Sequence, residues 1–194
     1  MRYFTVRGDR IAVRFQEIER ELLTGFFGQV RAILHERAIE TGHAGTYAES
    51  GDDAESLLAS LEQRSRPLPP PDDPAIARLL PSGRRDEVQG AGESAIEFRR
   101  LTEQDLRDGK IADADRAERM VADEADLSLD DATALLRAIN DVRLSLGARL
   151  EVEEDTPYPT SITNEHEQAL AIYFWTGGVQ EELLEAIFDI DDDL

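Results

Sequence analysis

The sequence predicts a mainly α-helical fold: a single-domain helical bundle with a small N-terminal β-hairpin. Three observations predict it. The stretch SLDDATALLRAINDVRLSLGARL at 128–150 places Leu135, Ile139, Val142, Leu146 and Leu150 at steps of four and three, one stripe along one side of a helix. Two further long stretches, one near each end, repeat apolar residues at helical spacing. Runs rich in β-branched and aromatic residues at strand spacing are confined to residues 3–15. A chain of 194 residues is long enough to bury a core without covalent staples.

The elements follow in order. Residues 3–6 and 11–15 read as two short strands, with Gly8 supplying the turn. From 17 to about 38 the pattern is helical. Ile18, Leu22, Phe26, Val30 and Ile33 form its stripe, and Leu23, Phe27 and Leu34 widen it. Gly25 and Gly28 mark either a close approach of another helix or an imperfect turn. Residues 41–73 are poor in apolar residues, acidic, and end in RSRPLPPPDDP, whose prolines favour an extended chain. They read as a mobile surface insert, with a brief helix at Leu57, Leu58 and Leu61. Pro74 suits the first turn of a short helix, PAIARLL. After a Gly-rich loop, 94–101 reads as another short helix. Thr102 with Asp105 resembles a capping box opening a separate helix that runs to about 122. Ser128 with Asp131 caps the central helix, and Gly147 lies near its end. The last helix is expected over about 164–189, capped by Thr163. The domain organisation is therefore 1–40, hairpin and first helix; 41–73, insert; and 74–194, the remaining helices of the same domain.

Composition excludes several function classes. There are 42 acidic and 21 basic residues, a net charge of −21, so phosphate polymers and anionic lipid are repelled. No Lys or Arg follows Arg149, whereas Arg2, Arg7, Arg10, Arg14 and Arg20 enrich the start; this suggests attraction between the two ends, but solvated faces with weak exposed pairs are the favoured reading. With no Cys, there is no disulfide framework, thiolate metal site or thiol nucleophile. The N-terminal residues have no apolar core of a signal peptide, and no apolar run is long enough to span a bilayer.

A search for chemistry finds no constellation. His35, His43 and His166 stand apart, with no HExxH or other zinc spacing. DADRAE at 113–118 lacks the later ligands of a calcium loop. The glycines at 90 and 92 follow no strand, so they form no dinucleotide fingerprint. DIDDDL at the end reads as a solvated tail. In FRRLTEQDLR, the cations Arg99, Arg100 and Arg107 are nearly cancelled by Glu103, Asp105 and Asp108, which argues against a nucleic-acid contact. No nucleophile, base and oxyanion set emerges, so the expectation is a protein that is not an enzyme and uses no cofactor or metal.

Four stretches occur together in order: DPAIARLLP at 73–81, EFRRLTEQDLRDGK at 97–110, INDVRLSLGARLEVEED at 139–155 and YFWTGGVQEELLEAI at 173–187. Together they resemble an actinobacterial family catalogued as a domain of unknown function, whose members include the actinomycete oxidative-stress regulator. The resemblance implies a helical cytoplasmic protein with a regulatory role. Its expected partner is a protein, either RNA polymerase or a sigma factor, or a component of the Clp protease system, the latter suggested by family gene neighbourhood. For the function of the chain itself the alternatives are an adaptor in regulated proteolysis and an uncharacterised hydrolase. A cysteine redox switch does not carry over to a chain without cysteine. Asn140, Asp141, Arg143, Gly147 and Arg149 match the family's pattern of a helix with an interior polar cluster.

Asn140, Asp141, Arg143 and Arg149 are accordingly the candidate binding residues. Two roles are open for them. Either the arginines pair with carboxylates and fix how helices dock, or the set lines a groove for a protein partner. The last helix raises a second question. One of its faces carries Leu170, Tyr173, Phe174, Leu184 and Ile187; the other carries Ile172, Trp175, Val179, Leu183, Ala186 and Ile190. The second face needs a cover. A homodimer through Ile172, Trp175, Val179, Leu183 and Ile190 is expected, strengthened by salt because both subunits are acidic. The N-terminal hairpin, through Tyr3, Phe4, Val13 and Phe15, is the alternative cover.

Overall fold

The computed structural model of the protein describes residues 2–42, 68–81, 93–123 and 125–192. Most of the expected insert (43–67), the Gly-rich loop at 82–92 and the last two residues of the acidic tail lie outside the described residues.

The chain begins with β1 (Phe4–Arg7) and β2 (Arg10–Val13). They pair antiparallel, Phe4 opposite Val13 and Arg7 opposite Arg10, and Gly8 takes the turn at φ 62°. Alternation along β2 turns Ile11 and Val13 inward. A third strand, β3 (Asp126–Leu127), adds to β2 with Leu127 opposite Ile11, giving the sheet order β1-β2-β3. Two residues carry no periodicity, so β3 had no signal in the sequence.

Among the described residues five helices follow: α1 (Glu17–Glu40), α2 (Pro74–Leu79), α3 (Glu93–Ala122), α4 (Leu129–Arg149) and α5 (Glu165–Asp192). α1 is the predicted helix with its buried face turned by one residue. Leu23, Phe27, Val30 and Leu34 are buried, while Ile18 is 60% exposed and Leu22, Phe26 and Ile33 lie at the margin. The apolar set is wider than one stripe, and the members that reach α3 and α4 become core. A Cβ on Gly25 would meet nothing within 4 Å and one on Gly28 only the end of Arg31. Neither glycine marks a helix crossing, and α1 runs through both.

α3 differs from expectation. The short helix and the helix expected to start after Thr102 are one continuous element. The Thr102 hydroxyl donates to the carbonyl of Phe98 at 2.9 Å, one turn back in the same helix. An N-cap needs non-helical backbone and an acceptor oxygen aimed forward; here the hydroxyl is absorbed by a back-bond instead. The other caps form with small shifts. Asp73 accepts from Ala75 and Ile76 at the start of α2. Ser128 and Asp131 exchange bonds at the start of α4. At α5 the cap is Asn164, which accepts from Glu167 at 2.9 Å, while Thr163 donates to the Glu167 carboxylate from one residue further out.

α4 is central among the described residues and packs against each of the other four described helices. Its Ala132, Leu135, Ala138, Ile139 and Val142 are buried. The helices α3 and α4 run antiparallel, tied by Lys110–Asp141, Asp113–Arg137 and Arg116–Asp130/Asp131. The acids of the DADRAE segment are thus spent on ion pairs: Asp115 and Glu118 both reach Arg31 of α1 at 2.5 Å.

α5 lies on α4 and on the hairpin. Val179 and Leu183 are fully buried, Ile190 and Ala186 nearly so, and Trp175 and Ile172 are partly buried. Val179, Leu183 and Ile190 of the face expected to meet a second copy are therefore buried inside one chain, where the hairpin touches α5. Trp175 donates its indole N–H to the Tyr3 hydroxyl at 3.0 Å with the rings edge to face, and Glu182 accepts from the backbone N–H of Phe4. The two chain ends meet here by shape and hydrogen bonding. The start-to-end charge attraction is not what Arg7 serves, since it faces Asp126 of β3 at 3.9 Å.

Candidate functional site

The four candidate residues on α4 do not converge. Asp141 points to α3 and pairs with Lys110 at 2.5 Å, its side chain almost wholly buried. Burial pushes its carboxyl up from the usual carboxylate range, and Lys110 pulls it back. Arg149, at the exposed end of the helix, faces Asp73, the N-cap of α2, at 3.7 Å. Asn140 and Arg143 point to α5 and share Gln180. Arg143 Nη1 donates to Gln180 Oε1 at 2.6 Å, and Gln180 Nε2 approaches Asn140 Oδ1 at 3.4 Å. The Arg143 guanidinium lies 5.3 Å from the centre of the Tyr173 ring. The four thus face three different helices: Asp141 faces α3, Arg149 faces α2, and Asn140 and Arg143 face α5. Gly147 belongs to the same contact: a Cβ there would stand 3.2 Å from the Tyr173 ring, so its role is close approach, and Glu151 takes the left-handed turn after the helix at φ 53°.

A second polar cluster, at the other end of the α1–α3 pair, is more completely buried. Arg37 of α1 and Arg99, Glu103 and Arg107 of α3 are 3%, 6%, 2% and 1% exposed. The Glu103 carboxylate accepts from Arg37 Nε at 2.8 Å and from Arg99 Nη1 at 3.2 Å. Arg37 also donates to the carbonyl of Pro69, and Arg99 to that of Leu80. Among the described residues, Arg107 reaches the Thr41 hydroxyl at 3.4 Å from Nη1 and stands 3.7 Å from Asp108 at Nε, and its Nε and Nη2 are buried with no hydrogen-bond partner. Guanidinium groups donate and do not release protons at any ordinary pH, so this cluster is built to hold acceptors, not to carry protons.

Charge cancellation hid this cluster in the sequence. Its local signal was the spacing: Arg99, Glu103 and Arg107 fall at steps of four, on one side of a helix whose apolar face is otherwise thin. Arg100 and Glu97, in the same motif, form an exposed pair with each other, so half the motif is solvated and half is core. Among the described residues, no group of three or more His, Asp or Glu is arranged to hold a metal ion. Among them, too, no helix is long and apolar enough to cross a membrane.

Residues 1–187 match the family model described as "Domain of unknown function (DUF2017)". The chain is 28% identical over 197 residues to the "Putative oxidative stress regulator AosR" of Mycobacterium leprae, covering 94% of this chain and 85% of that protein. It is 29% identical over 168 residues, 77% of each chain, to proteins named "Oxidative stress regulator AosR" of Mycobacterium tuberculosis and Mycobacterium bovis. No solved structure matches.

Proposed function

Because the chain belongs to the DUF2017 family, we propose that it is a non-enzymatic regulatory protein of the cytoplasm that acts by contact with another protein, without a cysteine switch. One observation carries the reading: similarity along nearly the whole chain to proteins named as oxidative stress regulators. The surface of α5 supports a protein partner. Its outward side carries Glu181, Leu184, Glu185 and Phe188, with Phe188 58% exposed. An apolar face rimmed by acids suits a basic and apolar protein segment and disfavours phosphate polymers. The partner is RNA polymerase or a sigma factor.

Binding of the purified protein to RNA polymerase, to a stress-responsive sigma factor and to Clp components, measured side by side, tests this. Saturable binding to polymerase or sigma factor is expected, weakened by Phe188→Glu. Binding to a Clp component alone would replace the reading with an adaptor in proteolysis. Binding to none of them, or hydrolytic turnover by the purified protein, would overturn it.

A further inference from the structure

The buried cluster holds three arginines and one glutamate. Glu103 is shared between Arg37 and Arg99. Nothing comparable serves Arg107, one turn further along α3. Asp108 stands 3.7 Å from its Nε, beyond hydrogen-bond reach, and is partly solvated. A cation taken out of water with idle donors is destabilising unless something accepts from them. The idle pair is specific. Nε and Nη2 form one edge of the planar guanidinium, the two parallel donors that grip two oxygens of one group side-on. Arg107 itself is held in place by burial and by Thr41.

We infer that Arg107 is a binding site for a small oxyanion, a carboxylate or phosphate-class group gripped by its Nε–Nη2 edge, with Arg37 and Arg99 supplying the neighbouring positive charge. The ligand is small because both nitrogens are shut off from solvent: the phosphates of a polymer or a membrane do not reach them, and a small ion enters by displacing the side chains that cover them. It is an acceptor because a guanidinium offers only donors. The field of a chain at −21 repels anions at long range, so affinity must come from the two directed bonds and the local excess of arginine. The inference is independent of which protein the surface of α5 meets.

The test uses inorganic phosphate and acetate, with chloride at matched ionic strength as the control. Thermal melting of the wild type and of Arg107→Lys is followed at each concentration. The Nε–Hε resonance of Arg107 is followed by nuclear magnetic resonance in the wild type. Phosphate and acetate are expected to raise the melting temperature of the wild type above the chloride control and to shift that resonance saturably. Arg107→Lys keeps the charge and loses the fork, so binding should weaken on the order of tenfold. Equal effects of chloride and phosphate, or an unmoved Arg107 resonance, would overturn the inference. The resonance decides the matter even if Arg107→Lys does not fold.

Discussion

Glycine and cap positions give the sharpest residue-level expectations. Gly25 sits inside α1 with open space where a Cβ would go, so Gly25→Ala should raise unfolding free energy by about 0.5–1 kcal/mol through helix propensity alone. Gly147 sits inside α4 against Tyr173, whose ring also receives Arg143. Gly147→Val should therefore destabilise and loosen the Arg143–Gln180 contact. Urea denaturation of both variants checks the pair, and a similar gain at both sites would refute the packing argument. Asp131 offers a pH-dependent case. Its bonds to Ser128, aided by Arg116, hold its carboxyl below the usual range near 3.8. A carboxyl lowered in the folded state adds stability above its unfolded pKa and loses that contribution as pH falls through the folded value. Asp131→Ala should cost about 1 kcal/mol at neutral pH, and its melting curve should approach that of the wild type in acid below pH 3.8. The capping pair was legible in the sequence because it is local. Arg107 was not: its burial depends on residues from α1 and α3 meeting far from each other in the chain.

At the scale of elements, the helices were legible wherever apolar spacing was strong. The misreadings have local causes: a Thr that back-bonds within α3, a two-residue strand, and a glycine used for approach where a cap was expected. What the sequence left open was whether the hairpin or a second copy covers the second face of α5, because both offer apolar residues. The complete burial of Val179 makes a direct prediction. Val179→Glu should lose about 4 kcal/mol or more, with a red shift of emission from Trp175, the single tryptophan. Sedimentation should show unfolding and not the release of intact monomers from a dimer. The α3–α4 seam gives another. Lys110→Met leaves the Asp141 carboxylate buried without its partner and should cost about 3–5 kcal/mol, whereas Lys110→Met with Asp141→Leu should recover most of that loss. A double-mutant cycle with no coupling would show that the pair is solvated and does not set the register of the two helices. Arg143→Ala should weaken the α4–α5 seam by a smaller amount, because Asn140 and Gln180 remain.

Over the whole molecule, charge and topology act at different ranges. The excess of acids repels itself across the surface, while most ion pairs between helices are short and local. Added salt screens the first more than the second, so the melting temperature at pH 7 should rise between low salt and roughly 0.15 M, where the screening length is about 8 Å. A fall over that range would mean that the ladder between α3 and α4 outweighs the general repulsion. The contact between Phe4 and Glu182 spans 178 positions of sequence. On a ribosome adding about 5–20 residues each second, β1 waits roughly ten to thirty-five seconds for the helix that covers it. During that interval Phe4, Val13 and Phe15 have no α5 to pack under, and the sheet is the last region to close. Pulsed hydrogen exchange on refolding chains should accordingly find the amides of β1 protected late, together with those around Trp175, after α3 and α4 have already paired.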